Sequence, residues 1–170
     1  VDVAKGDRSR IMTEGESEYW AALSAAVGAL HDPEALKVLL NPTVVEDGAS
    51  NVGAIGAFGD QVLPRLLTLY DLPSFRQHKW YISSIITYML EHHIITNDID
   101  RTRLRTLFLV QSHDQDWKLR LLSLRALSIF NTEVARGRIR EVAAADPYST
   151  VNKKGTVAYP VRVEAARLLR

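Results

Sequence analysis

From Trp117 to Phe130 the chain carries Leu119, Leu121, Leu122, Leu124, Leu127, Ile129 and Phe130. On a helical wheel these surround nearly the whole axis and leave Lys118 and Arg125 together on one narrow polar strip. A helix that apolar is wedged between neighbours. The next segment, 132–145, differs. Its apolar positions, Ala135, Ile139, Val142 and Ala143, form one thin stripe flanked by arginines, the pattern of a surface helix. Buried and surface helices in succession predict two helical layers.

The same punctuation organises the rest. Residues 1–15 are polar and without period, and are read as a flexible N-terminal arm, with 16–170 as a single helical domain. Glu16 to Leu30 is alanine-rich and helical. Asp32 is placed to cap a short helix to Leu40, with Pro33 at the first position, where a missing N–H costs nothing. Asn51 to Phe58 forms a helix ended by Gly59, and Asp60 caps another through Tyr70. Ser74 to His92, Asp98 to Gln111, Asp116 to Phe130, Thr132 to Ala145 and a last segment from Tyr159 complete about nine helices. Phe130, Asn131 and Thr132 repeat the order of Phe58, Gly59 and Asp60, with Asn131 as the left-handed cap.

Longer echoes are present. Lys118 to Leu127 (KLRLLSLRAL) recurs 42 residues later from Pro160 to Leu169 (PVRVEAARLL), which sets Arg120 over Arg162 and Arg125 over Arg167. Arg101 to Arg105 (RTRLR) recurs 35 residues later as Arg136 to Arg140 (RGRIR). Periods in the thirties and forties over helical sequence mark an α-solenoid, whose helical pairs bury their faces only by stacking on one another.

Asp114 followed six residues later by Arg120, with Ala126-Leu127, Val161-Arg162, Ala165-Ala166 and Leu168-Leu169, resembles HEAT repeats, particularly the bacterial subtype named after phycobilisome lyases. The resemblance covers roughly residues 50–170. It implies an all-α fold, a right-handed α-solenoid of about four to five helical pairs, in which an aspartate and an arginine of each inter-repeat turn hydrogen-bond as a ladder. Asp114 and Arg120 match that spacing, Asp71 and Arg76 are one residue short, and an insertion separates Asp146 from Arg162. HEAT repeats host many unrelated roles, so the likeness speaks for fold more than for function.

Composition fits a folded unit. A chain of 170 residues, 46% hydrophobic, buries roughly 70% of its unfolded surface without metal or disulfide. With no cysteine, thiolate catalysis and cysteine metal clusters are excluded. The most apolar window, Tyr81 to Met89, is interrupted by Ser83, Ser84 and Thr87 and falls far short of the roughly 20 residues that span a bilayer. A cytoplasmic location is expected, with a periplasmic or secreted one as the alternative, since a chain without cysteine suits either compartment. The first residue is Val1 and the last helix, Arg162 to Arg170, reads as the first of a pair. The first feature predicts a removed signal peptide or a domain cut, and the second that the natural protein continues or that this end packs on another subunit.

Charge adds a direction. Residues 1–96 hold 7 basic and 12 acidic side chains, a balance of −5, whereas 97–170 hold 14 basic and 8 acidic, a balance of +6. At about 100° per residue, Arg101 and Arg105 stand about 40° apart beside the apolar stripe of their helix, and Arg136 and Arg140 occupy the equivalent angles one repeat on. In HEAT proteins the second helices of successive pairs line the concave face. The resemblance therefore implies that Arg101, Arg105, Arg136 and Arg140 form a groove suited to an acidic peptide or a phosphate-bearing partner. Against this, Asp98 and Glu133 lie three residues before Arg101 and Arg136, where helix-surface ion pairs would occupy half the set.

Ser149 to Val151 and Thr156 to Tyr159 are β-favouring arms around Asn152-Lys153-Lys154-Gly155, which predicts an inserted hairpin near 149–159 with Lys153 and Lys154 at its tip. Other candidates carry less. Glu91, His92 and His93 are adjacent, so a helix fans them apart rather than converging them on a metal. Gly53, Gly56 and Gly59 lack the preceding strand of a phosphate loop and read as small residues for close helix packing. The serines form no nucleophile elbow. No catalytic, metal or cofactor residue is assigned. The expectation is a non-enzymatic scaffold for an acidic protein or peptide, with a nucleic-acid-binding protein resembling HEAT-like DNA glycosylases as the alternative. A chromophore-attaching activity, implied by the subtype's name, has no residue that singles it out.

Overall fold

A computed structural model describes residues 22, 25–30, 32–41, 51–151, 153 and 155–170. The predicted arm and most of the first predicted helix lie outside the described residues. The described residues are mostly helical with one two-stranded antiparallel sheet. They fall into two compact units, up to Phe58 and from Gly59 onward.

In the first unit residues 25–29 are helical, and α1 (Pro33–Leu39) packs on α2 (Asn51–Gly56). Asp32 caps α1 as its position predicts, its Oδ1 accepting the Glu34 amide at 2.9 Å, with Pro33 in the first turn. Leu36, Leu39, Leu40, Ala54, Ile55 and Phe58 are buried. A close backbone approach belongs to Gly28, where a Cβ would stand 2.5 Å from the Ala54 carbonyl oxygen.

The second unit begins at Gly59, whose φ of 79° is the positive value glycine accommodates. Asp60 caps no α-helix. It opens a single 3₁₀ turn, Asp60–Val62, and α3 (Leu63–Asp71) follows with Pro64 in its first turn. Another 3₁₀ segment, Pro73–His78, leads into α4 (Lys79–Glu91), so the one helix predicted from Ser74 is two elements. Then come α5 (Asp98–Gln111), α6 (Trp117–Phe130), α7 (Glu133–Ala145), β1 (Thr150–Val151), β2 (Val157–Ala158) and α8 (Pro160–Leu168). Asn97, Asp116 and Thr132 cap α5, α6 and α7 with side-chain oxygens. Asn131 ends α6 at φ 50°, ψ 31°, the left-handed conformation expected of it.

Helix α6 lies at the centre, touching α4, α5, α7 and α8, while α7 also packs on α8. Helices α4, α6 and α8 thus follow one another in a row. Of the apolar residues that ring α6, Leu119, Leu124 and Leu127 are buried, with Ala126, whereas Leu121, Leu122, Ile129 and Phe130 are half-buried, so the helix is less enclosed than its pattern predicts; α7 buries only Ala135, Ile139 and Val142, the thin stripe expected of it.

The core also holds a polar knot. The Gln111 side-chain oxygen accepts from the Tyr70 and Ser83 hydroxyls, each at 2.8 Å, and its amide donates to the Leu119 carbonyl at 3.1 Å. One glutamine thereby ties α3, α4 and α6 to the end of α5. Among the described residues no buried side-chain nitrogen or oxygen lacks a partner, as a low-dielectric interior demands. Burial, with the nearby charges of Asp114 and Asp71, pushes the Tyr70 phenol up to about 12, so it stays a donor.

Candidate functional site

The two helices bearing the RTRLR and RGRIR copies are α5 and α7, and they send arginines to one place. Arg101, half-buried near the start of α5, donates from Nη1 to the Ile95 carbonyl at 3.2 Å and holds its guanidinium 5.4 Å from the Phe130 ring centroid. Arg136, in the first turn of α7, donates from Nε to the Asn131 side-chain oxygen at 2.7 Å. Helix α6 therefore ends between two cations, at adjacent residues Phe130 and Asn131, where the negative end of its dipole favours positive charge.

The ion pairs expected three residues apart do not form. Arg101 and Arg136 instead reach back past their own helix starts to neutral oxygens, and Glu133 is taken by Arg140 at 2.9 Å. That pair is more than half exposed at both ends, where an ion pair is worth only about 0–1 kcal/mol. Arg105 is half-buried and makes no hydrogen bond or ion pair among the described residues. The four arginines thus divide into two that bracket the end of α6, one weakly held and one free.

The inserted loop is the hairpin the sequence predicts. Thr150 pairs with Ala158 and Val151 with Val157, and the turn includes Gly155 at φ 77°. Lys153 is exposed in that turn, and Lys154 lies outside the described residues. Both hairpin valines are exposed, so core burial does not account for this insertion.

An open cavity of about 540 Å³ lies between the 113–115 turn and the end of α7, lined by His113, Arg120, Arg138, Glu141, Val142 and Asp146 among others. Its arginines are occupied. Arg120 donates to both Asp146 oxygens and to the Asp114 and Gln115 carbonyls. Arg138 donates to the Ser112 hydroxyl, the Ser112 carbonyl and Glu141. The Asp146 hydrogen bond raises the Arg120 guanidinium above its usual range. For Asp146 burial opposes ionisation, but bonds from Arg120 and the Tyr148 amide, with the charges of Arg120 and Arg162, hold the carboxyl below the usual carboxylate range. These groups brace two turns and present no nucleophile paired with a base. His92 and His93, at the end of α4, do not converge: His92 packs on Tyr88 and His93 takes a left-handed φ of 55°.

Aromatic rings that periodicity did not single out line the starts of the row helices. Trp117 lies flat on Tyr148, with centroids 4.5 Å apart and planes 6° from parallel. Lys118 stands 5.9 Å from the Trp80 ring and Arg162 stands 4.2 Å from the Tyr159 ring. The signal in the sequence was aromatic and basic residues side by side, as in Lys79-Trp80 within the helix predicted from Ser74 and Trp117-Lys118 at the start of the helix predicted from Asp116. Among the described residues no helix is long and apolar enough to cross a membrane. Comparison with protein-family models, with curated proteins and with solved structures finds no match for this chain.

Proposed function

We propose that this chain is an interaction module of the HEAT type, a right-handed α-solenoid that binds an acidic segment of a partner protein on α5 and α7 and performs no chemistry of its own. What supports the stack is that α4 and α8 both pack on α6, which also carries α5 and α7. The observation that carries the binding reading is the convergence of Arg101 and Arg136, from sequence copies 35 residues apart, on the end of α6. Arg105 is free to engage a ligand, and Arg140 gives up little by leaving an exposed glutamate. Arginine forks match carboxylates bidentately, which favours Asp- and Glu-rich segments. Lys153 on the hairpin adds positive charge.

The test is fluorescence anisotropy with a labelled 15-residue Asp/Glu-rich peptide, comparing the wild type with a variant carrying Gln at 101, 105, 136 and 140. Affinity is expected to fall at least tenfold in the variant, and steeply with salt in the wild type. Equal binding by both proteins refutes the arginine face.

A further inference from the structure

The arginine echo is longer than five residues. Asn97 to Arg105 (NDIDRTRLR) and Thr132 to Arg140 (TEVARGRIR) correspond position by position at the same spacing of 35, and only Asp100 over Ala135 and Thr102 over Gly137 differ in kind. Asn97 and Thr132 cap α5 and α7 with side-chain oxygens, so equivalent residues hold the same place in the two helices. Most of this repetition has a structural reason. Asp98 and Glu133 put a carboxylate in each first turn, which suits the positive end of the helix dipole, and Leu104 and Ile139 are buried in the core. Ile99 and Val134 have no such reason. They are 80% and 66% exposed, and a β-branched residue is a poorer helix former than alanine in a solvated turn.

Both aliphatic side chains belong to the helix starts that meet the end of α6. Ile99 lies two residues before Arg101, whose guanidinium is 5.4 Å from the Phe130 ring centroid, and Val134 lies two before Arg136, which bonds Asn131. Charge there is mixed. In 98–105 three arginines stand with Asp98 and Asp100, and in 133–140 three stand with Glu133, while Arg138 is turned to Ser112 and Glu141. The cationic excess is small, and an exposed ion pair contributes about fivefold to affinity or less. Covering one Ile or Val side chain contributes about tenfold or more.

We infer that the partner segment is amphipathic, with bulky apolar side chains that seat on Ile99 and Val134 and carboxylates that meet the arginines of the two copies. This rests on the acidic-segment reading and names what that reading leaves open, the apolar half of the ligand. Charge complementarity selects the occupant. A second copy of this chain, meeting the face with the same face, sets arginine against arginine. An anionic bilayer presents negative charge everywhere, to Asp98, Asp100 and Glu133 as well as to the arginines, whereas a peptide places its carboxylates at the arginines alone. A segment with carboxylates and no apolar side chain leaves both aliphatic residues in water.

The experiment titrates two labelled 15-residue peptides of equal charge by fluorescence anisotropy at 100 mM NaCl. Each carries five glutamates, and the same four positions hold leucine in one and serine in the other. The wild type is expected to bind the leucine peptide at least tenfold more tightly than the serine peptide. An Ile99→Ser, Val134→Ser double variant should lose at least tenfold for the leucine peptide and less than twofold for the serine peptide, which has no apolar contact to lose. The four-arginine variant should weaken both. Circular dichroism establishes that the variants are folded, and both aliphatic positions lie outside the core. Equal binding of the two peptides, or unchanged leucine-peptide affinity in the double variant, overturns the inference and leaves the acidic-segment reading standing if the four-arginine variant still weakens both. Leucine-peptide binding that the four-arginine variant keeps in full, or no binding of either peptide at 100 μM protein, overturns that reading and the inference with it. Two further outcomes assign the aliphatic pair to another occupant and also overturn the inference: self-association in sedimentation that the double variant abolishes, or displacement of the leucine peptide by vesicles of 3:1 phosphatidylcholine and phosphatidylglycerol.

Discussion

Arg120 grips Asp146 across 26 residues with two parallel hydrogen bonds, Nε to Oδ2 at 2.6 Å and Nη2 to Oδ1 at 2.9 Å, while its Nη1 holds the Asp114 and Gln115 carbonyls behind it at 2.9 Å each. The arginine thus joins the turn before α6 to the turn after α7. Arg162, its copy 42 residues on, donates in the same sense to the Asp146 carbonyl. Both side chains of this pair are at least nine-tenths buried, so removing one strands the other. Asp146→Ala and Arg120→Ala should each destabilise by about 3–5 kcal/mol. The Arg120→Met, Asp146→Leu double variant should lose clearly less than the sum of the single losses, as measured by urea unfolding. Additive losses would show that the pair is not coupled.

Arg125 and Arg167, also 42 residues apart, both pair with Glu164. The hydrogen bond from Arg167, then that from Arg125, outweigh burial and hold the Glu164 carboxyl at about 2. A lowered folded pKa stabilises above the unfolded value of about 4.3 and is lost as pH falls through the folded value. Glu164→Gln should be less stable than the wild type at pH 7. Its deficit should shrink between about pH 5 and pH 2, where urea midpoints at pH 7, 4 and 3 follow it. A deficit independent of pH contradicts the assignment.

Tyr70 gives the opposite limb. Its phenol is raised to about 12, so its contribution is complete below the unfolded value of about 10 and is lost as pH rises from about 10 to 12. Tyr70→Phe removes the bond to Gln111 and should cost about 1–2 kcal/mol at neutral pH. The gap between the two proteins should close between pH 10 and 12 in denaturant titrations.

Two glycines separate backbone crowding from backbone freedom. At Gly28 a Cβ meets backbone atoms of Ala54, its oxygen at 2.5 Å and its Cα at 2.9 Å, whereas at Gly137 it meets nothing within 4 Å. Gly28→Ala should destabilise by about 1–3 kcal/mol. Gly137→Ala, in the interior of α7, should stabilise by about 0.5–1 kcal/mol. Thermal melts of the two variants should move in opposite directions.

What could be read from the sequence was local. Asp32, Asp116 and Thr132 cap where their spacing to the apolar runs put them, Asn131 turns left-handed, and the Lys153 turn joins two paired strands, because each outcome depends on a few consecutive residues. The thin buried stripe of α7 was legible for the same reason, since periodicity reports which face is covered, whereas an apolar pattern running round α6 overstated its burial, because Leu121, Leu122, Ile129 and Phe130 stay half-buried. Choices among distant partners were not legible. Spacing pointed Arg120 at Asp114, yet the Asp114 carboxylate serves the Asp116 amide and Arg120 takes only its carbonyl, because the end of α7 carries Asp146 within reach. Gln111 reads as an ordinary helix end until α3, α4 and α6 converge on it. At the candidate site, spacing found the arginine copies but paired them with Asp98 and Glu133, whereas Arg101 and Arg136 sit at Phe130 and Asn131.

The face proposed to receive an acidic partner segment is made by α5 and α7. Hydrogen–deuterium exchange with and without the labelled Asp/Glu-rich peptide tests it most directly. Added protection is expected in 98–111 and 130–140, with the hairpin turn responding more weakly and the 63–71 segment unchanged, and that protection should be lost in the four-arginine variant. Protection confined to other segments, or the same protection in the variant, would contradict it.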